Sequence, residues 1–192
     1  MGKIIGALLL AMASSAMAGP FGFTQGEKLG DLQKRLPLKR ESPTTFSTAR
    51  APSGHPDLEE YRLLITPGTG LCKITGWTTD KQTNSQGVQV QDEFDQWFQA
   101  LSEKYGPGKK YDFLEQGSIW NDPQDWLTAL AKEERTLAAF WTSLPSNADN
   151  ISAIRLKAHG LVNGKFMISI GYEYNHHDQC LREAKAKKNS NL

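Results

Sequence analysis

The sequence predicts an α+β fold in which an antiparallel sheet carries helices packed on one face, within a single domain. Several short segments alternate apolar and polar residues and are separated by turn residues, which is typical of antiparallel strands. Between them, apolar residues recur three and four positions apart, which is typical of amphipathic helices. The strand predicted at 151–159 also carries Ser, Arg, Lys and His on its second face, so helices are expected to cover only one face.

Four helices are predicted from this spacing and from their end signals, at 29–36, 90–105, 123–130 and 176 to about 187. Pro37 ends the first helix, because proline cannot continue a helical hydrogen-bond pattern. The third begins at Pro123, with Asn121 or Asp122 as its cap, and Asn175 caps the last. A basic, frayed tail is expected after the last helix.

Strands are predicted by alternation at 60–66, 71–79, 136–142, 151–159 and 166–174, with a further short strand around 45–48. The last two form a hairpin whose loop length fixes the register. A two-residue turn at 163–164 sets a lysine opposite the apolar face, whereas a three-residue loop at 162–164 pairs Leu156 with Ile170. Because one buried face demands one register, the three-residue loop is predicted, with Gly164 at its left-handed position.

Residues 1–18 have the pattern of a cleavable secretory signal. Lys3 precedes an apolar run of ten residues at 4–13, and Ala16 and Ala18 form a site that signal peptidase accepts. A membrane-spanning helix needs roughly 20 apolar residues, about twice that run. Cleavage is therefore expected after Ala18, leaving a domain at 19–192 that is periplasmic or secreted.

The mature chain is expected to be electrically neutral, with 21 basic residues (22 less Lys3) and 21 acidic residues. Such a chain has no overall field to attract a polyanion, so a nucleic-acid partner is not expected. No later segment is long and apolar enough to cross a bilayer, so no integral membrane anchor is expected either.

The mature chain has two cysteines, Cys72 and Cys180, which in an exported protein are expected to form one disulfide. The alternative is a metal site formed by His176, His177 and Cys180. Adjacent histidines point in different directions on a helix, and a single thiolate makes a poor zinc ligand set. The disulfide is therefore preferred.

No catalytic or cofactor motif is present: the chain has no G-x-S-x-G elbow, no P-loop and no H-E-x-x-H. No cofactor and no catalytic residue are predicted. Trp120 lies in the polar, glycine-bearing loop 117–122, where it either folds back on the core or serves as an exposed anchor for a partner.

The segment Phe21–Leu32, with Phe-Gly-Phe-Thr-Gln-Gly followed by Leu29 and Leu32, resembles the first helix of the SmpA/OmlA-type outer-membrane assembly lipoproteins and related inhibitor-like α+β modules. Unlike that family, this chain has no cysteine for lipidation after its leader and is longer. The resemblance implies a non-catalytic envelope protein that acts by binding.

The function predicted is therefore that of an exported, soluble, non-catalytic binding protein of the cell envelope, of the adaptor or inhibitor/immunity type. Its expected partner is another envelope or secreted protein. Two alternatives remain open at this point: a small periplasmic hydrolase acting on envelope material, and a structural envelope component.

Overall fold

Nine strands form one antiparallel sheet in the computed structural model, which describes residues 19–146 and 149–189. The strands are β1 (Lys39–Arg40), β2 (Thr45–Thr48), β3 (Leu58–Thr66), β4 (Gly70–Thr78), β5 (Lys81–Gln82), β6 (Lys109–Leu114), β7 (Arg135–Trp141), β8 (Ile151–Leu161) and β9 (Lys165–Tyr174). The helices of these residues are α1 (Leu29–Arg35), α2 (Val88–Tyr105), α3 (Trp126–Ala131) and α4 (His177–Asn189). The predicted α+β class with an antiparallel sheet is confirmed.

The sheet consists of two meanders joined in the middle. Its order is β1-β2-β3-β4-β9-β8-β7-β6, and the short β5 pairs with β9 beyond the end of β4. Strands of the first meander follow one another along the chain, and so do those of the second, so that β4 and β9 form the junction. This arrangement leaves β6 at one edge of the sheet and the two-residue β1 at the other.

One face of the sheet, here called the core face, carries the hydrophobic core. A single register row crosses five strands through Leu63, Ile74, Tyr172, Ile154 and Trp141, all of which are buried. The apolar stripes of the first three helices belong to the same core cluster, through residues that include Leu32 of α1, Phe94 of α2 and Leu127 of α3. Burial of this continuous apolar surface is the main stabilising term of the fold.

The opposite face, here called the outer face, is covered only in part, by α4. His177 and Leu181 of α4 line a groove with Thr45, Leu64 and Lys73, which are neighbours on the outer face of β2, β3 and β4. The expectation that the helices lie on one face therefore describes α1 to α3, whereas α4 contacts β3 and β4 from the other side.

The structure places Cys72 and Cys180 at disulfide distance, with Cα atoms 6.3 Å apart and both side chains buried. This link ties β4 to α4 across 108 positions of sequence. A second contact holds the same helix, since the Glu183 carboxylate accepts hydrogen bonds from the backbone N–H groups of Gly68 and Thr69, each at 3.1 Å. The position of α4 is thus fixed by covalent and polar contacts together.

The register predicted for the last hairpin is confirmed. Leu156 pairs with Ile170 and Ile154 with Tyr172, and strand pairing resumes at Lys165 after the three-residue loop. Gly164 has φ +72°, the left-handed conformation that the loop requires.

Three strands were not predicted, namely β6 and the two-residue β1 and β5. The other elements lie close to their predicted positions, although α4 continues to Asn189. The predicted leader at 1–18 and the end of the basic tail at 190–192 lie outside the described residues. Within the part of the chain that the structure describes, no helix is both long enough and apolar enough to cross a membrane.

Candidate binding surface on the outer face

The outer face is open over β6, β7 and β8, because α4 lies at the far end of the sheet against β3 and β4. Two adjacent register rows cross this open region. The first runs Lys109, Phe140 and Arg155. The second runs Tyr111, Ala138 and Lys157. The basic-aromatic patch is defined here as five of these residues, Lys109, Tyr111, Phe140, Arg155 and Lys157.

Two aromatic rings form the centre of the basic-aromatic patch. The rings of Tyr111 and Phe140 meet edge to face, with centroids 5.8 Å apart, an arrangement that aromatic pairs favour. Phe140 is 39 % exposed although it lies within the sheet rather than in a loop. Phe113, which lies two positions after Tyr111 on the same face of β6, is 49 % exposed. An apolar area of this kind on an otherwise polar surface indicates an interaction site.

Three cations surround these rings. Lys109 Nζ lies 5.0 Å from the centroid of the Tyr111 ring, and Arg155 and Lys157 follow from the neighbouring strand β8. Among the described residues, none of the three is within ion-pair distance of a carboxylate. The outward positions of β6 to β8 also include no Asp or Glu.

Other lysines of the outer face are neutralised. Lys73 Nζ is 2.6 Å from Glu173 Oε1, and Lys165 Nζ is 2.6 Å from Asp80 Oδ2. The contrast marks the basic-aromatic patch as a part of the sheet where cations are left available for a partner.

The positive charges of the patch also affect the protonation of His159. This histidine lies on β8 two positions after Lys157, its ring stacks on Trp77 with centroids 4.8 Å apart, and its Nε2 is 2.8 Å from Ser169 Oγ. Burial, followed by the charges of Lys157 and Arg155, lowers the pKa of His159 from 6.5 to about 4. The imidazole is therefore neutral at neutral pH, and the two cations act on it across the same face.

Ser169 and His159 have the contact of a nucleophile and its base, which is the arrangement of a serine hydrolase. The Ser169 side chain is, however, only 1 % exposed, so a substrate carbonyl has no path to its hydroxyl. No carboxylate of the described residues hydrogen-bonds the His159 ring to orient it. The geometry fits a buried polar pair beneath the surface better than a catalytic dyad.

A separate open cleft of about 540 Å³ lies between the loop 51–57 and α2. His55 stacks on Trp97 there, with centroids 4.6 Å apart, and Lys81 Nζ lies 2.9 Å from Glu93 Oε1. The charges of Lys81 and Glu93 in this cleft thus neutralise each other. The cations of the basic-aromatic patch have no such partner among the described residues.

Trp120, the predicted anchor, is half-buried, and its backbone N–H donates to Ser118 Oγ at 3.2 Å. Its neighbour Ile119 is the exposed apolar residue of the loop, at 76 %. The role of Trp120 as a partner contact stays a prediction. The basic-aromatic patch was not predicted from the sequence, because its residues are distributed over three strands.

The residues of the alternative metal site are occupied by other contacts. Cys180 is at disulfide distance from Cys72, His176 Nδ1 is 2.8 Å from Gln25 Nε2, and His177 Nδ1 is 3.3 Å from Glu173 Oε2. In residues 19–146 and 149–189, no three His, Cys, Asp or Glu side chains are grouped so that they could hold a metal ion.

No protein-family model matches the chain, and no curated protein and no solved structure matches it.

Proposed function

We propose that this chain is an exported, non-catalytic binding protein of the cell envelope, which docks an acidic partner protein on its basic-aromatic patch. The observation that carries the proposal is a set of three cations around two packed aromatic rings on an open sheet face, with no carboxylate of residues 19–146 or 149–189 within ion-pair distance of them. Arginine and aromatic residues of this kind are enriched in the centres of protein interfaces.

The chemistry of the patch defines the partner. Unpaired cations favour a surface with carboxylates, and the rings of Tyr111 and Phe140 favour an apolar centre between those carboxylates. The mature chain is neutral overall, so it has no long-range field to attract a nucleic-acid backbone. An acidic protein with an apolar spot therefore fits this surface best.

Three features support an exported, envelope location of the protein. They are the leader pattern at 1–18, the two mature cysteines at disulfide distance, and the resemblance of Phe21–Leu32 to envelope assembly lipoproteins that act by binding.

The partner is best identified by site-specific photo-crosslinking in cells. A photoreactive phenylalanine analogue at Phe140 is expected to capture a defined envelope protein. The same analogue at Val162, which is 78 % exposed in the β8–β9 loop, serves as the control. The captured protein is then purified and its affinity measured directly. Equal adducts at both positions, or none at Phe140, contradict the proposal.

Charge reversal tests the patch itself. The double variant Arg155→Glu/Lys157→Glu is expected to weaken binding of the purified partner at least tenfold, or about 1.4 kcal/mol. Arg50→Glu/Arg182→Glu makes the same change of charge at exposed positions, one after β2 and one on α4, and is expected to leave the affinity unchanged. Equal affinities of the two double variants contradict docking through the patch.

A further inference from the structure

The strand β6 leaves one long edge of the sheet unpaired. All six of its residues pair with β7, and β7 is its only strand partner in the described part of the chain. Four of the six side chains are exposed, and the strand contains neither a proline nor a register shift. Such an edge presents a row of free N–H and C=O groups to another strand.

We propose that two copies of this chain pair antiparallel through β6, with Tyr111 opposite Tyr111 of the second copy. The proposal goes beyond the proposed function, because it concerns the free edge of the sheet and does not require an acidic partner. The occupant is inferred from the charges of β6 itself.

Only some registers of this pairing are compatible with the sheet. Lys109, Tyr111 and Phe113 lie on the outer face, whereas Lys110 and Asp112 lie on the core face. Antiparallel strands place residues of the same face opposite each other. A symmetric pair must therefore have a residue, and not a peptide bond between two residues, on its two-fold axis.

Charge selects one of these registers. An axis at Lys110 or at Asp112 sets two like charges opposite each other, which is unfavourable. An axis at Phe113 sets Asp112 opposite Leu114 and Tyr111 opposite Glu115, so neither carboxylate gains a cation. An axis at Tyr111 sets Lys110 opposite Asp112 of the second copy, and the pair occurs twice by symmetry.

Existing contacts extend this pairing into a chain of alternating charges. On the core-face side, Arg135 Nη2 lies 2.7 Å from Asp112 Oδ1, and Lys110 is hydrogen-bonded to Asp95. In the dimer, Arg135 and Asp112 of one copy then meet Lys110 and Asp95 of the other. Asp112 and Lys110, the two inner charges of this chain, each have an opposite charge on both sides, which is how ion-pair networks gain over isolated surface pairs.

The outer face is complementary as well. Lys109 comes opposite Phe113 of the second copy, so that an exposed ring is covered by a cation and its aliphatic chain. The two outer faces then form one continuous surface. Because β6 has only six residues, the interface is small, and the dimer is expected to depend on protein concentration.

Mixed charge variants test the register. Lys110→Asp alone and Asp112→Lys alone each set like charges opposite each other, so each variant is expected to be monomeric where the wild type is dimeric. An equimolar mixture restores opposite charges at both pairs and is expected to form a heterodimer. Sedimentation velocity from about 1 µM to about 1 mM measures this directly. A folding defect in one variant cannot be rescued by mixing, so the outcome separates pairing from stability.

Cysteine crosslinking tests the axis independently. Tyr111→Cys is expected to form an intermolecular disulfide, because side chains directly opposite each other have Cβ atoms about 5 Å apart. Phe113→Cys is the matched control, since its counterpart in the second copy is four residues away along the strand, or roughly 13 Å. Wild-type protein that stays monomeric up to about 1 mM, a mixture that stays monomeric, or equal crosslinking at both positions overturns the proposal.

Discussion

At the scale of single residues, the environment of the outer face lowers the pKa of His159. Burial and the charges of Lys157 and Arg155 oppose the protonation of this ring in the folded protein. The unfolded chain has no such opposition, so it takes up a proton at the ordinary pKa of 6.5 whereas the folded chain does so only at about 4. Protonation in this window therefore favours unfolding.

The free energy of unfolding is accordingly expected to fall as the pH drops from about 6.5 to about 4. His159→Gln keeps a polar group near Ser169 but cannot be protonated, so it is expected to flatten this fall. Some slope is expected to remain, because burial also lowers the pKa of His176. Urea denaturation at about pH 7 and about pH 5 measures the difference. Equal slopes for variant and wild type contradict this assignment.

Two glycines permit a matched test of backbone conformation. Gly164 has φ +72°, where an alanine is strained, whereas Gly30 lies inside α1 with no atom within 4 Å of an added Cβ. Gly164→Ala is expected to lower the free energy of unfolding by about 1 kcal/mol. Gly30→Ala is expected to raise it by about 0.5 kcal/mol or more. Chemical denaturation measures both changes, and two changes of the same sign refute the explanation.

At the scale of elements, a strand could be predicted from the sequence when one of its two faces is buried and the other is not. The register of β8 and β9 was predicted because Ile154, Leu156 and Ile170 belong to a single buried face. β6 was missed because both of its faces mix charged and apolar residues. On the outer face, for example, Lys109 and Phe113 lie on the same side of the strand. An edge strand on an open face has no single buried side, so alternation gives no signal. The basic-aromatic patch depends on the pairing of β6 with β7 and was missed for the same reason.

The attachment of α4 combines the disulfide with polar contacts from Glu183 and Glu173. A hydrogen bond from His177 and then the ammonium group of Lys73 lower the pKa of Glu173 to about 2. These polar contacts remain when the cysteines are replaced, so the helix is expected to keep its position without the covalent link.

Cys72→Ala/Cys180→Ala is expected to lower the free energy of unfolding by about 4 kcal/mol, because the unfolded chain regains the entropy of a closed loop of more than 100 residues. Urea denaturation followed by circular dichroism measures the loss. Wild type denatured in the presence of reductant is the control and should match the variant. A variant within about 1 kcal/mol of the oxidised wild type contradicts a disulfide in the native protein.

At the scale of the whole molecule, a net charge of only +1 hides a separation of charge. The helix α2 carries four acidic residues and one lysine, a net charge of 1 − 4 = −3, and packs on the core face against β8 and β9. The basic-aromatic patch carries three cations on the opposite face of the same sheet. Composition alone reports only the sum of these charges, so it gives no indication of a local basic surface. A dipolar molecule of this kind can orient an acidic partner before contact.

The compartment is tested on the complete protein. Pro20 is buried, and a Cβ added at Gly19 would lie 2.8 Å from Phe23 O, so the two residues directly after the predicted cleavage site are closely packed. Protein isolated from the periplasm is therefore expected to have the intact mass of residues 19–192, and to gain two protons on reduction. Ala18→Lys should block cleavage, whereas Lys28→Ala should leave it unchanged. A retained leader, or two free thiols in the isolated protein, contradicts export and the disulfide respectively, and either result removes the support for an envelope partner.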